Sequence, residues 1–155
     1  MRTLQTWLDE YGVSHRNPAN KRIHWVCVPL IMLSVLGMLW TVPRPAFFFS
    51  LSPYLNWATL LIVLSLIYYL LLSVRLAAGM LLVSAAMCVL LQLLARLPWP
   101  LLWTSVVIFV VAWIGQFVGH KIEGRKPSFL KDLQFLLIGP IWLLADAYKR
   151  LGFAY

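Results

Sequence analysis

Four long apolar stretches, bounded by charged residues or prolines, constrain this 155-residue chain more than any other feature. They run from Trp25 to Val42, Tyr54 to Val74, Leu76 to Leu94 and Leu101 to Val118. Each is close to the roughly 20 residues a helix needs to cross a bilayer. Charged residues make up only 12% of the chain and hydrophobic ones 62%, whereas a soluble domain carries about 25% charged residues to coat its surface. The expected class is an all-α membrane protein, one integral domain with four transmembrane helices. Pro43, Arg44, Pro45 and Pro53 mark the first loop, and Arg96, Pro98 and Pro100 mark the third. The second boundary is the weakest. Arg75 alone divides the apolar stretch Tyr54–Leu94, and the turn at Ser73, Val74 and Arg75 has neither Gly nor Pro to make it.

The two ends read differently from the middle. Leu4, Trp7, Leu8 and Tyr11 recur at i, i+3, i+4 and i+7, so Thr3 to His15 is expected to be an amphipathic helix lying on the headgroup layer. Asn17 and Pro18 end it, because a residue before proline is pushed out of the helical region, and the same pair suits the start of the next helix. Near the other end, Leu133 to Ala145 is apolar but too short to cross, and Gly139-Pro140 interrupts it. An interfacial or re-entrant helix over residues 129–150 is the expectation. The first residues are too charged for a cleavable signal peptide. Cys27 and Cys88, inside apolar runs, read as packing thiols.

Orientation follows from the basic residues. Eleven of the 13 Lys and Arg fall in the two terminal segments and at Arg75, leaving Arg44 and Arg96 on the opposite side. The positive-inside rule then puts both termini in the cytoplasm, in the inner membrane of a bacterium or the endoplasmic reticulum of a eukaryote. The net charge of +8 is thereby absorbed by topology, and a nucleic-acid partner is not implied. No ionisable residue lies near the middle of a span, which argues against an ion-coupled transporter.

Chemistry gathers at the cytoplasmic edge. His15 ends the first helix, His24 enters the first span and His120 leaves the fourth; these are all the histidines of the chain. Glu123 follows His120 by three residues and Gln116 precedes it by four, so the three share a helix face. Neutral imidazoles with a carboxylate suit a first-row metal, and such a set with open positions suits non-haem iron(II) oxygen chemistry. The residues alone leave alternatives open. Interfacial histidines are often wetted polar groups, Glu123 can pair with Lys121, Arg125 or Lys126, and Tyr11 and Trp25 can be interfacial anchors. Imidazole and carboxylate also suit zinc, and hence a membrane lipid hydrolase. A non-catalytic lipid-binding or scaffolding protein is the remaining class.

Two runs carry a resemblance. One extends from Tyr11 through His15, Asn17, Pro18 and Asn20 to His24 and on to Pro29; the other from Gln116 through Gly119, His120 and Glu123 to Pro127. Together they resemble the motifs of the yeast-type 2-hydroxy fatty acid dioxygenases, a small multi-pass membrane family long without an assigned function. The similarity covers nearly the whole chain, with Cys27 standing where the family often has glycine. It implies an Fe(II)-dependent dioxygenase that uses O2 to shorten 2-hydroxy fatty acids by one carbon. The essential histidines would be His15, His24 and His120, with Glu123 as a further ligand or a support to them. Tyr11, Asn17, Asn20, Gln116 and Arg125 would orient the imidazoles or meet the substrate, whose carboxylate Arg16, Lys21 and Arg22 would also attract.

Overall fold

The computed structural model describes residues 3–124 and 136–155. Its regular elements are all helices: α1 (Leu4–Gly12), α2 (Pro18–Thr41), α3 (Ala46–Leu51), α4 (Trp57–Leu72), α5 (Val74–Leu94), α6 (Leu101–Glu123) and α7 (Ile138–Leu151). Of the C-terminal helix expected over 129–150, the part before residue 136 lies outside the described residues.

Local chemistry sets the boundaries. Thr3 caps α1, which ends at Gly12 and leaves His15 in the following turn rather than on the helix. The Asn17 side chain accepts from the Ala19 N–H at 2.9 Å, and Pro18 occupies the first turn, where its missing N–H costs nothing. Accordingly α2 begins at Pro18 rather than Trp25 and carries His24 within it. After α2, a short helix not anticipated from the sequence, α3, folds into the loop. Arg44 closes that loop by donating to the carbonyls of Pro53 and Leu55 at 2.9 and 3.2 Å.

The turn that lacked Gly and Pro is made by Ser73 alone. Its backbone is extended (φ −164°, ψ 122°), its N–H donates to the Tyr69 carbonyl, and its hydroxyl accepts from the Leu76 N–H. One residue thus terminates α4 and caps α5. At the other end of α4, Asn56 and Thr59 form a reciprocal capping box that fixes the start at Trp57. These two caps trim α4 to 16 residues, about 24 Å at the usual helical rise. Three described helices, α2, α5 and α6, are long and apolar enough to cross a membrane; α4 is shorter than the four-span expectation assumed. At the chain's end, Gly139 and Pro140 lie in the first turn of α7 and so stand at the start of that helix; residues 133–135 of the apolar stretch lie outside the described residues.

Helices α2, α4, α5 and α6 alternate in direction. At one end Leu33 and Leu36 of α2 meet Ala58 of α4, Met87 and Leu91 of α5 and Leu101 of α6 in an apolar cluster. At the other end His24, Tyr69, Met80 and His120 border a single cavity. Outward-facing side chains are apolar as well: Val63, Leu64 and Ile67 on α4, Leu81 and Leu82 on α5, Val110 and Val111 on α6 are all exposed. A contiguous exterior of this kind suits lipid, not water. The amphipathic α1 and α7 pack together across the cavity end, burying Leu8 and Tyr11 of one and Ile138 and Ile141 of the other.

The most extensive helix pairing is α2 with α6, and it depends on missing side chains. A Cβ on Gly119 would collide with the amide of Asn20, which is fully buried. Close approach through small residues is the usual way helices associate where no hydrophobic force drives them together. Gly119→Val is expected to cost about 1–3 kcal/mol by overpacking and to separate His120 from His24. A lowered unfolding midpoint in detergent, together with weakened metal binding, checks this.

Candidate metal centre

Three separate elements deliver the three histidines to one place: the turn after α1 brings His15, the second turn of α2 brings His24, and the last turn of α6 brings His120. All three are buried, at 7%, 1% and 7% exposure. Ring centroids lie 4.2 Å apart for His15 and His24, 5.1 Å for His24 and His120, and 5.5 Å for His15 and His120. One nitrogen from each ring lies within 4.8 Å of the others. Two nitrogens bound to one ion at about 2.1 Å each lie at most about 4.2 Å apart. Around a three- or four-coordinate ion the spacing is about 3.4–3.6 Å, so closure needs the rings to draw together by roughly an ångström.

The hydrogen bonds choose the tautomers. His15 Nδ1 lies 2.7 Å from the Tyr11 carbonyl, and His24 Nδ1 lies 3.0 Å from the Asn20 carbonyl. A carbonyl only accepts, so both Nδ1 atoms carry the proton and both Nε2 atoms present a lone pair. His15 Nε2 is sealed from solvent and has no hydrogen-bond partner among the described residues, an arrangement that is costly unless a ligand fills it. Burial pushes the His15 pKa down to about 4, against the raising effect of the Tyr11 carbonyl and with further lowering from His120. At neutral pH the ring is uncharged, which is the form that binds a metal. The donor set fits a divalent first-row ion.

Glu123 lies outside the cluster of converging ligand atoms. Its Oε1 accepts from the Arg16 N–H at 2.9 Å, while Oε2 accepts from the Asn17 N–H at 2.9 Å and the Asn20 amide at 3.0 Å. The Asn20 amide also donates to the Ser14 carbonyl at 3.1 Å. These bonds tie the turn bearing His15 to the end of the helix bearing His120. Asn17 serves both as the cap of α2 and as a donor to this carboxylate. Gln116, one turn before His120, is within hydrogen-bonding reach of His24. Tyr11 stacks flat on His15, with ring centroids 4.3 Å apart and an 8° tilt. Arg125 lies outside the described residues. Lys21 is paired with Asp146 at 2.6 Å.

The histidines sit at the head of a cavity of ≈ 130 Å³, where one water needs only about 10–15 Å³. Beyond Tyr11 and Gln116 its walls are almost wholly apolar, and along α2 it reaches from His24 to Leu36, about 18 Å of helix. A polar head of three imidazoles on a long apolar chamber is suited to an amphiphile.

A family model described as 2-hydroxy-palmitic acid dioxygenase Mpo1-like matches residues 1–151. The chain belongs to the Mpo1-like family. Among its relatives is the 2-hydroxy-palmitic acid dioxygenase MPO1 of Saccharomyces cerevisiae, 34% identical over 156 residues. That match covers 97% of this chain and 82% of the yeast protein. No solved structure matches.

Two contributors to this Mpo1-like centre escaped the sequence analysis. Trp142 of α7 lies against both Tyr11 and His15, with ring centroids 5.3 Å away in each case. Tyr69 donates its hydroxyl to the Leu137 carbonyl at 2.8 Å and so fastens the start of α7 over the cavity. Trp142 carries no signal beyond being an aromatic residue in an apolar helix, and Tyr69 reads as an ordinary residue of α4. Glu123→Ala frees the His15 turn and is expected to weaken metal binding by about 10–100-fold, the usual effect of removing a group that orients a ligand. Glu123→Gln, whose amide oxygen still accepts, is expected to lose less. Anaerobic titration with Co(II), followed by its visible absorption, checks both.

Proposed function

We propose that this chain is an Fe(II)-dependent dioxygenase of the membrane, converting 2-hydroxy fatty acids to acids one carbon shorter. The observation that carries this reading is the convergence of three buried imidazoles at the mouth of a long apolar cavity. Family membership and the activity in the yeast relative's name support it. The overall reaction balances without an external reductant. A 2-hydroxy acid and O2 give the shortened acid, CO2 and water; the C1–C2 bond breaks, C1 leaves as CO2, C2 becomes the new carboxyl carbon, and O2 takes up the four electrons the two carbons lose.

His15, His24 and His120 would hold the iron through neutral nitrogens. Bound iron would supply the redox chemistry that joins O2 to the 2-hydroxy carboxylate head of the substrate. The protein's own part is positioning and exclusion. The carbonyls of Tyr11 and Asn20 keep two rings in the binding tautomer, and Gln116 and the Tyr11 ring line the space a substrate head enters. Because the ligands carry no charge, an anionic head is the natural complement to a dication in this setting. The acyl chain lies among residues of α2, α4 and α5. Helices α1 and α7 cover the reacting end and exclude water. Of the basic residues that the resemblance sets toward the substrate carboxylate, Lys21 is already paired with Asp146 and Arg125 lies outside the described residues.

In this reading the chain crosses the bilayer four times, with α4 and its flanking loop making the second crossing, and both termini are cytoplasmic. The alternation of α2, α4, α5 and α6 supports it, because an even number of crossings returns His120 to the side of His24. A 16-residue helix crosses where the bilayer thins or where flanking residues such as Tyr54 and Trp57 reach the interface.

Metal analysis of anaerobically purified protein, joined to O2 uptake with 2-hydroxy fatty acids, tests the assignment. One iron per chain and stoichiometric release of CO2 are expected. His15→Ala, His24→Ala and His120→Ala should each lose the metal and at least a thousandfold in turnover, roughly 4 kcal/mol of barrier. Protein without metal whose variants behave like the parent would sink the enzyme reading, leaving a lipid-binding or scaffolding role. Zinc without O2 uptake would point to a hydrolase.

A further inference from the structure

The cavity does not run the length of the bundle; it stops about halfway, and what stops it is built from identifiable residues. From the histidines it passes Val28 and Met32 on α2, Tyr69 and Ser65 on α4, and Met80 on α5. It ends among Leu36, Leu61, Ile62 and Ser84. Leu36 is only 3% exposed and belongs to the apolar cluster with Ala58, Met87, Leu91 and Leu101; Leu61 and Ile62 pack against the same cluster. The far end is thus a floor with solid packing beneath it. Ser84, also buried at 5%, is the one small side chain among the four.

We propose that this floor is a length gauge: Leu36 and Leu61 set the longest acyl chain the cavity accepts, and Ser84 leaves the space for its last carbons. The inference rests on the acyl-chain reading of the cavity but not on iron or on turnover. The head of any bound amphiphile belongs at the histidine end, where three imidazoles gather with Tyr11 and Gln116, while the floor offers only the hydroxyl of Ser84. With the head at the histidines and the floor packed, an extra methylene meets Leu36 and Leu61 instead of further cavity. It must either bend back or lift the head. Chains that stop short leave the floor uncovered and forgo burial.

Two substitutions at the floor should move the limit in opposite directions. Leu61→Ala removes three carbons from the floor and is expected to lengthen the preferred chain by about that many methylenes, with about fourfold tighter binding for each one newly accommodated. Ser84→Leu fills the space and is expected to shorten the preferred chain. Binding is read by displacement of a fluorescent fatty acid from purified, detergent-solubilised protein, using straight-chain acids of graded length with and without the 2-hydroxyl. The same series is then followed for O2 uptake with iron present. Opposite shifts in the two variants establish the gauge, and they do so even if no 2-hydroxy acid is consumed, in which case the dioxygenase assignment alone falls. Parent-like length profiles in both variants, or a parent that binds all lengths alike, would overturn it. Should one variant fail to fold, the other still decides, since each has its own required direction.

Discussion

The three hydrogen bonds received by Glu123 are the constraint on which the rest of the centre depends. Residues 15 and 120 are separated by most of the chain, and nothing local draws them together. The carboxylate at the end of α6 accepts from two consecutive backbone N–H groups of the turn and from the Asn20 side chain. The Asn17 N–H is a donor that the start of α2 leaves without a partner inside the helix, and the Arg16 N–H belongs to the turn just before it. A negative charge there is favoured by the helix dipole as well as by the bonds. The carboxylate thus satisfies the beginning of one helix from the end of another, and the histidines flanking it on both segments come into register.

That clasp works only because α2 and α6 lie close enough for it. Gly119 lets the Asn20 amide sit flush against α6, and Asn20 then reaches Glu123 and Ser14 at once. The same residue offers its backbone carbonyl to His24. Asn20 therefore couples helix packing, turn closure and imidazole orientation, three tasks that would otherwise need three residues. Its Nδ2 is satisfied by those two acceptors, whereas its Oδ1 is buried against Gly119 without a hydrogen-bond partner among the described residues, so the amide is held there at a cost that the donor side offsets.

Much of this was legible in the sequence, for reasons that can be named. Apolar runs report burial in lipid regardless of tertiary detail, so the helices α2, α5 and α6 followed from hydropathy. Asn17 and Pro18 announced the start of α2 because capping is local chemistry, although the first span was still read from Trp25. The histidines were visible as a set because they share a membrane edge. What the sequence could not supply were distances and pairings that depend on packing. Glu123 was legible as part of the motif but not as the partner of three donors more than a hundred residues upstream. The Ser73 turn looked implausible without Gly or Pro, yet an extended serine that caps the next helix does the same work. Gly139-Pro140 has two meanings, stop and start, and only the neighbours of α7 choose between them. Trp142 became part of the centre because α7 folds back across it, a fact no periodicity contains.

The cover formed by α1 and α7 connects stability to chemistry. Its underside is apolar, with Leu8, Ile138 and Ile141 against the bundle, and its upper face is pinned by Lys21–Asp146 and by the Tyr148 hydroxyl donating to the Arg75 carbonyl. For Asp146, burial alone would raise the pKa, but Lys21 and Arg150 outweigh it and hold the carboxyl below its usual range. This pairing therefore strengthens the cover at neutral pH and fades as the pH falls through the depressed pKa. Beneath the cover, exclusion of water is what drives the His15 pKa down. His15 is thus kept in the neutral form, the one in which an imidazole can bind a metal, by the same hydrophobic burial that holds α1 and α7 in place. A polar cover would have let water reach the ring and raised its proton affinity, the condition under which protons compete with any metal for an imidazole. Burying imidazoles under an amphipathic lid, at the edge of a lipid-facing bundle, supplies both a dry centre and an apolar chamber leading from it.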